Sequence, residues 1–330
     1  MPQYHVYGVG NALVDLEYEI PEHLLGELQV DKGLMTLIEE ERHHELLDNL
    51  TTIPSRPCGG GSAANTITAA AQLGSATFYS CKVANDPTGT YFLDDLSASG
   101  VKTNLRRDAL DEGHTGKCIV LVTPDAERSM NTFLGITRQI SIAELDEAAL
   151  RESEYVYIEG YLVPEINARA AAVRAREVAQ SCGVKTSLTL SDANMVNFFQ
   201  DALQEIIGDG LDMVFSNEDE ARLMFDASST EACIEGMKSI GRQFAMTRGA
   251  RGALVFDGEK LFDIPARKVH AVDTNGAGDI YAGAFLHGLT HGMPFARCAE
   301  LAGYAATTLV QQLGARLSPE QMDEVGHRFA

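Results

Sequence analysis

The order of apolar and polar positions divides this chain into two stretches. Up to about residue 135 the apolar residues fall in short runs and alternations. His5–Gly10 is a β-type run ending in Gly-Asn, and Leu13–Ile20 (LVDLEYEI) alternates apolar with acidic side chains. A period of two with one polar face predicts a half-exposed strand. Glu39–Asn49 predicts a polar helix. Cys58–Gly61 predicts a glycine turn feeding a small-residue helix, Ser62–Leu73 (SAANTITAAAQL). A strand at Ala76–Ser80, a helix at Thr88–Ser97 and a further strand starting at Gly100-Val101 follow. Between Cys118 and Phe133 two β-type runs, CIVLVT and SMNTFL, flank the turn PDAER and predict a hairpin.

From Tyr155 the pattern becomes strand–helix alternation. Strands are predicted at Tyr155–Glu159, Val184–Leu190, Met213–Ser216, Phe244–Thr247 and around Val255 and Phe256. Helices are predicted at Glu165–Ser181, after Glu218, and over about 276–290 and 295–312. Repeated βα units argue for an α/β fold: a mostly parallel central sheet with helices on both faces. The β-rich segments around 13–37 and 101–135 form a small second layer. With no internal repeat or low-complexity linker, 1–330 reads as one domain.

Composition narrows the function. Apolar residues make up 45% of the 330, enough to bury a real core. The balance of 26 Lys+Arg against 47 Asp+Glu gives a net charge of −21, which argues against a nucleic-acid partner. No apolar run is long enough to span a bilayer, and MPQYHVYGVGN lacks the basic and apolar regions of a signal peptide. Six cysteines without C-x-x-C spacing read as reduced thiols, so the expected location is the cytoplasm.

Open α/β sheets bind ligands at the carboxyl ends of their strands. Four loops there are unusual. In DTNGAGD (Asp273–Asp279) the small residues Gly276, Ala277 and Gly278 let backbone N–H groups converge on an anion where a helix begins. A carboxylate set against such a hole is costly unless it has a task, and Asp279 could take the proton of an attacking hydroxyl. The plain alternative is a capped helix start. In TRGARG, Thr247, Gly249 and Gly252 could approach a nucleotide, or simply form a tight turn. In NEDE, Asn217 and Glu220 have capping-box spacing, and Glu220 could also hold Mg²⁺ through water. GNALVD and GGGSAAN supply Asn11, Asp15, Gly60, Gly61, Ser62 and Asn65, glycines for close approach beside groups that hydrogen-bond vicinal hydroxyls.

The order and rough spacing of GNALVD, GGGSAAN, NEDEA, TRGARGA and DTNGAGD resemble the ribokinase-like (pfkB) family of carbohydrate and nucleoside kinases over essentially the whole chain. The resemblance implies ATP-dependent phosphorylation of a sugar-like hydroxyl, with Mg²⁺ as cofactor. It implies Asp279 as base, Gly276, Ala277 and Gly278 as anion hole, and Arg128 as a lid arginine reaching the transferred phosphate. Asn11, Asp15, Gly60, Gly61, Ser62 and Asn65 then match the sugar site. Asn217 and Glu220 match the Mg²⁺–phosphate motif, and Thr247, Gly249 and Gly252 the nucleotide loop. The β-rich layer becomes a lid. Some relatives also hold a monovalent cation, K⁺, near Asp273 and the loop 310–315 (VQQLGA). Arg248 stands where other members often carry Lys or Leu.

A nucleoside substrate needs an apolar slot for its base, which Leu13, Leu16, Met35, Phe133 and Tyr161 could furnish; a free sugar such as ribose or fructose does not. A non-catalytic sensor on the same fold would have no use for a base at Asp279. The expected assembly is a monomer or homodimer.

Overall fold

The computed structural model describes residues 2–125 and 127–329. Its strands are β1 (Tyr4–Val9), β2 (Leu13–Glu19), β3 (Met35–Leu37), β4 (Arg56–Gly60), β5 (Thr77–Ser80), β6 (Gly116–Val122), β7 (Arg128–Phe133), β8 (Ser153–Glu159), β9 (Lys185–Thr189), β10 (Leu211–Asn217), β11 (Gly241–Thr247), β12 (Ala253–Phe256) and β13 (Leu261–Ile264). Eight form one sheet in the order β13-β12-β11-β10-β9-β8-β1-β5. Pairing is parallel from β5 through β11, and β12 and β13 close one edge antiparallel.

Period-two alternation places apolar side chains on both faces of this sheet. Tyr155, Tyr157, Met213 and Phe215 point into one core, packed by the helices Ser62–Gln72, Ala277–Thr290 and Phe295–Leu309. Val156, Ile158, Val214 and Phe244 point into the other, beneath Ile166–Cys182, Ala193–Ile207 and Thr230–Ile240. Among the described residues no helix is long and apolar enough to cross a membrane.

The second sheet runs β3-β7-β6-β2-β4. One of its faces is covered by the helices His23–Glu27 and Glu40–Leu50 over Tyr18, Ile20, Ile119 and Leu121. The other carries Leu13 and Asp15 toward the large sheet. Of the acidic stripe of LVDLEYEI, Asp15 therefore meets an enclosed space, while Glu19 faces solvent. The expected hairpin is β6–β7; Ala126, inside its PDAER turn, lies outside the described residues.

Three expectations change. Cys58–Gly60 is not a turn but part of the edge strand β4, antiparallel to β2, where Gly60 admits the Asp15 side chain and Gly59 the Asp95 and Arg316 side chains. Gly100-Val101 starts no strand; Lys102 makes a single bridge with Phe78. The helix expected over about 295–312 ends at Leu309, and Gly314 (φ 103°) helps the chain turn back toward the sheet ends. The helices Ala193–Ile207, capped by Asp192, and Pro319–Phe329 were not among the expected elements.

Candidate active site

The carboxyl ends of β1, β8, β9, β10 and β11 face the inner side of the second sheet across a cavity of about 390 Å³. A space of that size suits a small organic ligand. Thr189, Asn217 and Thr247 line it from the large sheet, and Leu13, Asp15, Met35 and Met130 from the small one. At its floor begins the helix Ala277–Thr290, with Gly276 (φ 71°) in the left-handed conformation before it. A Cβ on Gly276 would come 2.5 Å from the Ala315 carbonyl oxygen, so this turn requires glycine.

Asp279 lies in the first turn of that helix, where free N–H groups and the helix dipole favour negative charge. Its Oδ1 accepts a hydrogen bond from Ser62 Oγ at 2.7 Å, and its Oδ2 one from Asn65 Nδ2 at 3.1 Å. Burial raises the Asp279 carboxyl above its ordinary range, opposed by these two bonds and by the Arg316 guanidinium. The first turn of the Ser62–Gln72 helix, distant in sequence, thus holds the carboxylate in a fixed orientation at a second helix start, an arrangement that suits a general base for a bound hydroxyl.

Glu159, which the sequence reading did not single out, fixes the opposite wall. It ends β8 and is fully buried. Its Oε1 accepts from both the backbone N–H (2.8 Å) and the side-chain amide (2.6 Å) of Asn11, and its Oε2 from the Ala63 N–H (2.8 Å). The loop after β1 and the start of the Ser62 helix are thereby tied to one residue. Burial pushes the Glu159 carboxyl up to about 7 against the pull of those bonds. In the GGGSAAN loop, a Cβ on Gly60 would meet Asp15 Oδ1 at 2.4 Å, and Gly61 (φ 94°) lies equally close to the Asn11 carbonyl oxygen. These glycines serve close packing around the two polar residues.

The capping box at NEDE is present. The Glu220 N–H donates to Asn217 Oδ1 (2.8 Å), while Asn217 donates from its backbone (2.9 Å) and its side chain (2.7 Å) to the two Glu220 oxygens. Glu220 also lines the cavity, its carboxyl raised to about 7 mainly by burial. Among the described residues no three Asp, Glu, His or Cys side chains converge to hold an ion by themselves. One buried carboxylate lining the same cavity as a glycine-rich helix start fits Mg²⁺ held largely through water.

The sequence-predicted residues divide. Asn11, Asp15, Gly61, Ser62, Asn65 and Asn217 line the cavity, as do Glu220, Thr247, Gly276, Gly278 and Asp279. Gly60, packed against Asp15, and Ala277, between two lining glycines, do not line it themselves. Gly249 and Gly252 do not line it. A Cβ on Gly252 would fall 1.9 Å from the Ile264 carbonyl oxygen, so this glycine serves the β11–β12 turn. Arg248 has a structural explanation in its ion pair with Asp263. Of the five proposed slot residues, Leu13, Met35 and Tyr161 face the cavity. Leu16 and Phe133 are one strand position off and point to the other face, Phe133 stacking on His43.

Arg128 is not in the hairpin turn. It is the first residue of β7, buried, with Nη2 2.9 Å from Glu17 Oε1 and 3.1 Å from Asp273 Oδ2. It joins the second sheet to the DTNGAGD loop and lies off the cavity wall. Both Asp273 oxygens have partners: Oδ1 accepts from the Asn275 N–H, and Oδ2 accepts from the Gly314 N–H and is ion-paired with Arg128. The Arg128 guanidinium thus stands beside Asp273 Oδ2, where a monovalent cation was expected nearby.

Comparison with known proteins places the chain in a family. The profile of the pfkB family carbohydrate kinases matches residues 49–322. The chain belongs to the pfkB family. The adenosine kinase structure from Sinorhizobium meliloti is 32% identical and superposes with a TM-score of 0.88 over 98% of this chain and 99% of that one. A probable sugar kinase from Rhizobium etli CFN 42 is 30% identical, with a TM-score of 0.89 over 99% of both chains. Adenosine kinase 1 of Arabidopsis thaliana is 26% identical over 96% of each chain. The pfkB profile begins after Asn11 and Asp15, but the structural matches span nearly the whole chain, so those two residues belong to the shared fold.

Proposed function

We propose that this pfkB kinase transfers the γ-phosphoryl group of ATP to the 5′-hydroxyl of adenosine, giving AMP and ADP. The observation that carries this is the Asp279 carboxylate, held by Ser62 and Asn65 at the start of the Ala277–Thr290 helix and facing a cavity with apolar walls. Asp15 and the polar residues around Asn11 grip the ribose hydroxyls. Leu13, Met35, Met130 and Leu134 leave an apolar face for a purine. The remaining 5′-hydroxyl gives its proton to Asp279 as its oxygen bonds to the γ-phosphorus, and the bond from that phosphorus to the ADP oxygen breaks. N–H groups at the helix start stabilise charge on the moving phosphoryl group. Glu220 would hold Mg²⁺ through water, and the ion when bound would supply charge neutralisation for the phosphates. The chain acts as one kinase unit with the second sheet as lid.

The names of two relatives support adenosine; the sugar-kinase relative keeps a free sugar as the second reading. Comparing kcat/KM for adenosine, ribose and fructose with the purified protein decides between them. Adenosine should give the highest value. A higher value for either free sugar overturns the nucleoside assignment and leaves the role of Asp279 intact.

Glu220→Gln should raise the free Mg²⁺ concentration needed for half-maximal activity while changing the KM for adenosine little. An unchanged Mg²⁺ titration with a lowered Tm would assign Glu220 to capping alone, which is worth about 1 kcal/mol.

A further inference from the structure

We propose that Arg316 is a positioning residue for phosphoryl transfer, acting through Asn65 on the Asp279 carboxylate. This rests on Asp279 being the base. Arg316 follows the Gly314 turn, and its side chain is nine-tenths buried. Its Nε donates to Asn65 Oδ1 at 2.7 Å, and its Nη1 is paired with Asp95 Oδ2. An arginine can only donate, so the Asn65 oxygen must face it. The Asn65 NH₂ is then turned toward Asp279 Oδ2, 3.1 Å away. Without that donor the Asn65 amide could rotate by half a turn, presenting an oxygen to the carboxylate and pushing the base out of line.

Two further observations indicate that the surroundings accommodate this contact. Gly59 is open for it: a Cβ there would lie 2.1 Å from Asp95 Oδ2 and 2.6 Å from Arg316 Nη1. The preceding residues of the same loop brace the same helix start, Ala315 against Gly276 and the Gly314 N–H on Asp273. The titratable groups around Arg316 are Asp95, Asp15, Asp279, Cys58, Tyr79 and Tyr91. Within this set Arg316 opposes the burial-driven rise of both the Asp15 and the Asp279 carboxyls.

The test is a double-mutant cycle of Arg316→Met with Asn65→Ala, read as kcat and as its pH profile. Arg316→Met alone should lower kcat by about tenfold to a hundredfold, the scale of a small misplacement at a reacting centre. The acid limb of the profile should move to higher pH, because the charge opposing protonation of Asp279 is gone. In the Asn65→Ala background the same change should cost no more than about twofold. Equal costs in both backgrounds, or a wild-type kcat and acid limb in Arg316→Met, overturn the proposal. If Arg316→Met does not fold, Arg316→Lys runs the same cycle: it should restore the acid limb but not kcat, since lysine lacks the fixed Nε donor. Failure of the base assignment itself would show separately, as an active Asp279→Asn enzyme.

Discussion

Asp279→Asn should lower kcat by on the order of 10²–10⁴-fold, with ATP affinity and Tm close to those of the unchanged protein. The substitution keeps shape and hydrogen bonding. The new amide oxygen can accept from the Asn65 NH₂, and the amide nitrogen can donate to Ser62 Oγ, whose hydroxyl turns round to accept. What is lost is the ability to take a proton. Burial is not disturbed, and removing a carboxylate that burial already disfavours gives the fold no reason to weaken. A coupled assay for ADP release, with calorimetric ATP binding and a melting curve, measures all three quantities. A kcat within a few-fold of wild type would remove Asp279 from the chemistry.

Asp15→Ala should reduce kcat/KM for adenosine by about tenfold to a hundredfold, the worth of a hydrogen bond to a charged group. It should also erase most of the preference for adenosine over 2′-deoxyadenosine, since the acceptor left unmatched by the missing hydroxyl is gone. The Asp15 carboxyl is pushed up to about 7 by burial, with Arg316 opposing, Glu17 adding to the rise and Arg128 opposing. It is therefore ionised above neutrality and protonated below it. The KM for adenosine should rise as pH falls through 7, and this rise should flatten in Asp15→Asn. A deoxy preference that survives Asp15→Ala would place the ribose contact elsewhere.

Much of this site was legible in the sequence because it sits where glycines and polar residues interrupt apolar strands. DTNGAGD announces a helix start with an acid in its first turn, and Asp279 is there. NEDE was readable as a capping box from its spacing, and the cap formed. Local patterns failed where the deciding partner is remote. Nothing near Glu159 signals that it will bind Asn11 and Ala63, 148 and 96 residues away. Arg316 follows an ordinary Gly-Ala, and its contact with Asn65 spans 251 residues. Cys58–Gly61 reads as a turn by glycine content, yet pairing with β2 puts Cys58–Gly60 in a strand. Phe133 and Leu16 were one position off because an apolar residue in a strand does not announce which face it will take.

The most direct test of the account is a ³¹P spectrum of purified protein incubated with adenosine, ATP and Mg²⁺. The account predicts a 5′-monophosphate signal growing in step with ADP, one for one, absent when Asp279→Asn replaces the wild-type protein. ADP appearing with inorganic phosphate and no nucleoside monophosphate would contradict it.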